Sequence, residues 1–317
     1  MSVFVLAPNE NWICDRFVSE WKSVKPYPTT DSIQDAEIIW LLADWCWNQV
    51  PTNLLKEKIV VASVHHLVPE KFDESELSNF KIRDDFIDIY HVPCEKTKEQ
   101  VEKYTDKPIW VQPFWVNNDL WKPISKDLRS ELRSQYGIGE NCYLIGSFQR
   151  DTEGHDLTSP KLEKGPDLFC DAVEELRDYH AKNGKEVRVL LAGWRRQYVM
   201  KRLREANIPY YYSELPPFTD INIFYNILDL YIVAARYEGG PQAIVECACT
   251  KTPILSTDVG VAEMILSSKS IFKPGNILNA EADVDYAHKK VLQYCMPKGF
   301  EPYTEMLHKI SKGNSND

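Results

Sequence analysis

Short apolar runs of strand length recur along this chain and alternate with polar segments that carry a helical pattern. In the first third they are VFVLAP (3–8), IIWLLA (38–43), KIVVASV (58–64), DIYHVP (88–93) and PIWVQP (108–113). Apolar runs without a polar face are typical of parallel strands that are buried on both sides. Because polar helical patterns lie between them, for example at 11–22 and 95–104, this part of the chain predicts a small doubly wound βαβ domain.

The same pattern starts again further along the chain. Its strand-like runs are YLIGSFQ (143–149), VRVLLAG (187–193), LDLYIVAA (228–235) and PILSTD (253–258). A chain of 317 residues with 44% hydrophobic content is long enough to bury two cores. We therefore predict an α/β chain with two Rossmann-like, doubly wound domains that face a central cleft.

The periodicity is interrupted between residues 116 and 125, where two asparagines and a proline occur. We therefore place the domains at 1–118 and 119–295. The remaining segment, 296–317, contains a last helical pattern at 301–310, which we expect to pack back on the N-terminal domain. The polar tail SKGNSND that follows is expected to be disordered.

Charge and hydropathy exclude two classes of partner. The net charge is -10, from 37 Lys+Arg against 47 Asp+Glu, so a broad basic surface for nucleic acid is not expected. No apolar run approaches the roughly 18 residues of a membrane span, and the start MSVFVLAPNENW lacks a basic leader region. These features favour a cytoplasmic protein with at most peripheral membrane contact.

The eight cysteines form no C-x-x-C pair, and several lie inside apolar runs. Metal and disulfide frameworks have characteristic cysteine spacings that this chain lacks. We interpret the cysteines as reduced thiols in the core.

One segment predicts chemistry more directly than any other: LDLYIVAARYEGGPQAIVECACTKTPILSTDVGVAE (228–263). It reads as a strand, a glycine-containing loop, a helix and another strand. Gly239 and Gly240 allow close approach of the backbone to a ligand, and Pro241 suits the first position of a helix. The amides at the helix start would form an anion site suited to a diphosphate.

Two carboxylates flank that loop. Glu238 lies beside the predicted anion site and Glu246 lies on the following helix, so both could accept hydrogen bonds from sugar hydroxyls. On spacing alone, a solvated glutamate pair is the competing interpretation.

The order Glu238, Gly239, Gly240, Pro241, Glu246, Ala248, Pro253 resembles the E-x(7)-E signature of the retaining glycosyltransferases of family four, which have the GT-B fold. KGPDLFCDAVEEL, VRVLLAGWRR and NILDLYIVAAR also occur in the family's order. The resemblance covers about residues 140–265, and VQPFWVNNDLWKP is similar to the family's interdomain segment.

The resemblance implies an enzyme that transfers a sugar from a nucleotide-diphosphate sugar to a hydroxyl of a glycan or glycoconjugate, with retention and without a metal or other cofactor. It assigns Arg150 and Lys164 to the leaving diphosphate, Glu238 to the donor sugar and Glu246 to the ribose. Two cations stabilise charge that grows as the glycosidic bond breaks. An ordinary surface lysine at a helix start is the alternative for Lys164. The remaining residues that it places at the donor are Gly193, Ser213, Glu214, Leu215, Gly239, Gly240, Pro241 and Gln242.

The N-terminal domain would then be the acceptor side and the C-terminal domain the donor side. His65 and His66 follow the strand KIVVASV, and ligands bind at such strand ends in open α/β sheets. The resemblance places a histidine there near the reacting carbon; a structural role in the loop is the alternative. Trp45 and Trp47 are candidates to stack on acceptor sugar rings, with core packing as the alternative.

Two features depart from the family, and a third imitates an unrelated motif. Pro8-Asn9-Glu10-Asn11 replaces the usual glycine-rich loop after the first strand. Lys251 replaces the glycine that normally ends the E-x(7)-E helix, at a cost of about 1 kcal/mol if its backbone is left-handed. The sequence Asp283-Val284-Asp285 imitates a metal-binding D-x-D motif, which we interpret as coincidence before a helix.

Two other functions fit the same pattern. A nucleotide-sugar epimerase shares the architecture and the ligand, and a non-catalytic glycan-binding descendant would explain the altered glycine motifs. Release of nucleoside diphosphate that requires an acceptor would exclude the first, and donor hydrolysis would exclude the second.

Overall fold

The computed structural model describes residues 2–10, 13–154 and 156–313, with side chains up to residue 311. The described chain divides into two compact units. One contains the residues up to Trp115 and those from Tyr294 onward, and the other is Val116–Gln293.

The first unit is built on a five-stranded parallel sheet whose spatial order is the chain order. Its strands are β1 (Val3–Leu6), β2 (Ile38–Leu41), β3 (Ile59–Ser63), β4 (Ile89–Val92) and β5 (Ile109–Val111). The second unit has a parallel sheet of order β10-β9-β6-β7-β8. Its strands are β6 (Cys142–Ser147), β7 (Glu186–Ala192), β8 (Tyr210–Ser213), β9 (Leu230–Val233) and β10 (Ile254–Ser256).

The helices between the strands complete the βαβ pattern. They are α1 (Ile13–Val24), α2 (Thr52–Glu57), α3 (Glu74–Asp84), α4 (Glu95–Val101), α5 (Lys126–Gln135), α6 (Pro166–Ala181), α7 (Gln197–Glu205), α8 (Phe218–Ile227), α9 (Gln242–Thr250), α10 (Ala262–Ile265), α11 (Val284–Val291) and α12 (Glu301–Gly313). The predicted strands all form. Strand β8 was not predicted, because its three tyrosines and serine lack the aliphatic run that marked the others.

The core of the first unit contains a hydrogen-bonded chain that runs through aromatic side chains. Trp40 donates its indole N–H to Ser63 Oγ at 3.0 Å, and Ser63 lies 2.8 Å from His91 Nδ1. His91 Nε2 lies 2.8 Å from the carbonyl of Gln112, which can only accept, so the imidazole proton is on Nε2 and Ser63 donates to Nδ1. Complete burial lowers the pKa of His91 to about 3.

The last helix belongs to this unit. Tyr303 stacks on Trp40, with ring centroids 5.2 Å apart, and donates its hydroxyl to the carbonyl of Pro113 at 3.0 Å. The expected disorder from Ser311 onward is wrong for residues 311–313, which continue the helix. Ser311 Oγ donates to Leu307 O at 2.6 Å and lies 3.0 Å from the Tyr27 hydroxyl, so the helix end is anchored. Residues 314–317 of the predicted tail lie outside the described residues.

All eight cysteines are buried free thiols, which confirms their assignment to the core. In the described part of the chain, no helix combines the length and the apolar character needed to cross a bilayer.

Candidate functional site

The second unit brings Lys164 and Glu238 together, although they are 74 residues apart in sequence. Lys164 ends a short 3-10 helix, Leu162–Lys164, and Glu238 lies in the loop between β9 and α9. The Lys164 ammonium donates to Glu238 Oε1, and only 16% and 14% of the two side chains are exposed. This ion pair joins two residues that the family resemblance assigned to one donor molecule.

The backbone around this pair is fixed by a glycine. Gly165 has φ 61° and follows Lys164, and Pro166 then begins α6. A Cβ at Gly165 would lie 1.8 Å from the carbonyl oxygen of Ala234, so any side chain is excluded. The lysine-glycine pair therefore marks a place where the start of α6 touches the end of β9.

Hydrogen bonds hold the two segments in register. The Glu163 carbonyl accepts the N–H groups of Arg236 at 2.8 Å and Tyr237 at 3.1 Å. Arg236 also donates to both carboxylate oxygens of Asp167, at 2.8 and 2.6 Å. On the other side, the Gln149 side chain donates to the Lys164 carbonyl at 2.8 Å. Lys164 is thus tied both to the Glu238 loop and to the segment after β6.

Glu246 lies on α9 and is 5% exposed. Tyr225, from the end of α8, donates its hydroxyl to Glu246 Oε2 at 2.8 Å. Burial and the nearby Glu246 carboxylate raise the pKa of Tyr225, so this hydroxyl stays protonated and holds the carboxylate in place.

The glycine loop before α9 is closely packed. A Cβ at Gly260, whose φ is 54°, would lie 2.2 Å from the Gly239 carbonyl and 2.8 Å from that of Glu238. Pro241 precedes the first helical residue and does not occupy the predicted first position, because α9 begins at Gln242. Within the described residues, Gln242 Oε1 is buried without a hydrogen-bond partner.

The other predicted donor residues lie at the carboxyl ends of β6, β7 and β8. Arg150 is half-buried in the segment after β6. Gly193 has φ 94°, a Cβ there would lie 3.0 Å from the Phe148 carbonyl, and its N–H donates to Ser213 O at 3.2 Å. Glu214 and Leu215 are exposed, and Leu215 has a left-handed backbone with φ 48°.

The candidate acceptor residues lie in the first unit. His65 Nε2 is 2.8 Å from the Leu42 carbonyl and must donate to it, and its ring stacks on Phe114. His66 follows it and is half-buried. Trp45 is 42% exposed, with its ring centroid 6.0 Å from that of His65.

Trp47 has a different environment. Its ring stacks on Phe86, with centroids 5.8 Å apart, and packs against the core of the first unit. Of the two tryptophans, Trp45 therefore presents the larger free surface to a ligand.

The structure also gives the local conformation at the three unusual sequence features. Asp15 accepts the N–H groups of Asn9 and Glu10, both at 3.0 Å, so its carboxylate holds the loop after β1. Lys251 has φ 57°, which confirms the predicted left-handed cap. Asp283 accepts the Tyr286 N–H at 3.1 Å and caps the start of α11.

Sequence reasoning missed Tyr225, Asp151 and Arg196. Tyr225 holds Glu246, and the other two form an ion pair whose side chains are at most 2% exposed. An aspartate directly after Arg150 and an arginine in an arginine pair carry no pattern that predicts their contact.

Residues 157–294 match the family model described as glycosyl transferases group 1. No curated protein sequence matches the chain. Among solved structures, HepE from Anabaena in complex with UDP and glucose is similar, with a TM-score of 0.75 at 12% identity over 97% of this chain and 99% of that one.

Two further structures are similar at low identity. Sucrose-phosphate synthase from Thermosynechococcus elongatus has a TM-score of 0.67 at 15% identity over 98% of this chain and 81% of that one. A glycosyltransferase from Rickettsia africae has a TM-score of 0.67 at 13% identity over 98% of both chains. Together with the two parallel-sheet α/β units, these likenesses confirm the predicted GT-B type fold.

Proposed function

We propose that this protein is a retaining glycosyltransferase that moves a sugar from a nucleotide-diphosphate sugar to a hydroxyl of a glycan or glycoconjugate. The observation that carries the proposal is the Lys164–Glu238 pair beside the start of α9. A cation, a carboxylate and a helix N-terminus are the groups needed for a diphosphate joined to a sugar. The match of 157–294 to the glycosyl transferases group 1 model supports the same function.

In the proposed reaction, the bond between the anomeric carbon and the diphosphate oxygen breaks, and negative charge grows on the diphosphate. The acceptor hydroxyl oxygen bonds to the anomeric carbon, and its proton passes to the departing diphosphate. Lys164 and Arg150 stabilise that charge, together with the amides at the start of α9. In many enzymes, groups that are already positioned to stabilise a developing charge make the largest single contribution to the rate enhancement. Glu238 accepts hydrogen bonds from the donor sugar, and Glu246, held by Tyr225, accepts them from the ribose.

We infer that no metal takes part, because the diphosphate charge is met by Arg150, Lys164 and backbone amides. Turnover should persist in excess chelator. Complete loss of turnover, restored by manganese or magnesium, would overturn this part of the proposal.

UDP-sugars are the first donors to test, since HepE was solved with UDP and with UDP-glucose. The experiment is a panel of nucleotide sugars and free nucleotides, each measured for thermal stabilisation of the protein. A ligand at 100 times its dissociation constant adds about 2.7 kcal/mol of stability. Stabilisation by one nucleoside diphosphate, and loss of that stabilisation in Lys164→Ala but not in the exposed control Lys201→Ala, is the expected result. No stabilisation by any member of the panel would count against the proposal.

A further inference from the structure

A buried ion pair includes Asp151, which directly follows Arg150, one of the two proposed diphosphate cations. Arg196 Nε is 3.1 Å from Asp151 Oδ2, and the two side chains are 1% and 2% exposed. Desolvation makes such pairs poor sources of stability, and apolar residues often replace them without loss. The pair therefore points to a role other than stability, which is to hold the neighbouring backbone in place.

Arg196 holds the end of β6 and the segment after it. Its guanidinium donates to Ser147 Oγ at 3.1 Å and to the carbonyl of Gln149. A guanidinium can pair with a carboxylate and donate to two further acceptors from one position, because its N–H groups diverge in a plane. The backbone immediately before Arg150 is fixed in this way.

Asp151 holds the residues on the other side of Arg150. Its carboxylate accepts the N–H of Tyr198 at 3.2 Å in the first turn of α7, and its own N–H donates to the Arg195 carbonyl at 2.9 Å. Its carbonyl accepts the Lys161 N–H at 2.8 Å, which fastens the loop that leads to Lys164. Arg150 is thus flanked on both sides by backbone tied to one buried pair.

Gln149 extends the same network to the second cation. While Arg196 holds the Gln149 carbonyl, the Gln149 side chain donates to the Lys164 carbonyl at 2.8 Å. We propose that Asp151 and Arg196 are positioning residues that fix Arg150 and Lys164 relative to each other for the leaving diphosphate. This inference rests on the proposed function, because it needs a diphosphate between the two cations.

The test compares two arginines of the second unit. In Arg196→Lys the charge next to Asp151 remains, but one ammonium cannot span Asp151, Ser147 and Gln149. The matched control is Arg133→Lys. Arg133 is also buried and donates to the carbonyls of Ile227 and Cys142 and to Asp229, where β6 and β9 begin, away from the carboxyl ends that carry the candidate site.

A second variant, Gln149→Met, leaves the ion pair intact and removes only the bond to Lys164. If Arg196→Lys fails to fold, Gln149→Met still tests the proposal. Both site variants should lower kcat with a UDP-sugar at least tenfold and change KM less. Arg133→Lys should lose thermal stability and keep its kcat.

Hydrogen exchange supplies a readout that does not depend on activity. Arg196→Lys should speed amide exchange across residues 149–165 at least tenfold relative to Arg133→Lys. If exchange changes as expected but the wild type neither binds UDP nor turns over a donor, the proposed function is wrong and the anchoring is right. Wild-type kcat in folded Arg196→Lys and Gln149→Met would overturn the positioning role.

Discussion

The ion pair between Lys164 and Glu238 predicts that one substitution will improve ligand binding while it damages catalysis. A nucleoside diphosphate that binds Lys164 must compete with the Glu238 carboxylate, and its own charge is repelled by that carboxylate. Glu238→Gln removes both obstacles. It keeps the size of the side chain and its ability to accept hydrogen bonds, so the loop should keep its conformation.

The magnitude follows from the exposure of the pair. A hydrogen bond between charged groups contributes about 1.5–3 kcal/mol, and exposed ion pairs contribute roughly 0–1 kcal/mol. With 16% and 14% of the side chains exposed, a value between these limits applies. We expect a gain of about 1.4 kcal/mol, which is about tenfold in the dissociation constant of UDP. Transfer from a UDP-sugar should fall, because the donor sugar loses its carboxylate partner.

The assay is calorimetric titration of UDP into wild type, Glu238→Gln and Glu205→Gln, the last a control for net charge on the exposed side of α7. In the Lys164→Ala background, Glu238→Gln should improve UDP affinity less than it does in the wild type, because the competition for Lys164 is already gone and only the charge repulsion remains to be removed. Unchanged or weaker UDP binding in Glu238→Gln would refute the reasoning. So would an equal gain in the Lys164→Ala background.

Three further predictions concern stability and are measured by denaturant unfolding. Lys251→Gly should stabilise the protein by about 1 kcal/mol because the position is left-handed, whereas Lys182→Gly, at a right-handed helix end, should destabilise it. Gly165→Ala should lower the free energy of unfolding more than Gly184→Ala. Both glycines have a left-handed backbone, but only at Gly165 would a Cβ press against neighbouring backbone atoms. Equal losses of stability would contradict this packing. Burial gives His91 a pKa of about 3 in the folded state, against roughly 6.5 in the unfolded state. The stability that this difference contributes is therefore fully present above pH 6.5 and is lost as the pH falls. Between pH 7 and 5 the wild type should lose about 2 kcal/mol more than His91→Gln, and parallel pH profiles would contradict this.

Much of the fold follows from the sequence because parallel strands buried on both faces leave unbroken apolar runs. Strand β8 was not predicted, since it lies at an edge of the sheet and its half-buried tyrosines do not form an apolar run. The continuation of α12 past Ser311 was not predicted for a different reason. Polar residues there indicate disorder locally, but a hydroxyl contact with Tyr27 is a tertiary effect that no local pattern reveals.

The candidate site divides in the same way. Glycines in left-handed or crowded positions and the glutamates near such glycines leave a sequence signature, so Gly193, Glu238 and Glu246 could be singled out. The contact between Lys164 and Glu238 follows only once both are placed at the carboxyl end of one sheet. The buried Asp151–Arg196 pair has no sequence signature, because long-range ion pairs depend on three-dimensional packing alone.

The most direct test of the central claim is the release of UDP from UDP-sugars, followed with and without a panel of glycan acceptors. The measurement compares wild type, Lys164→Ala and the surface control Lys201→Ala. We predict acceptor-stimulated release that is unaffected by Lys201→Ala and falls at least a hundredfold in Lys164→Ala, roughly the loss when one charge-stabilising group is removed. Equal release in all three proteins, or conversion of the donor to another nucleotide sugar without any release of UDP, would contradict it.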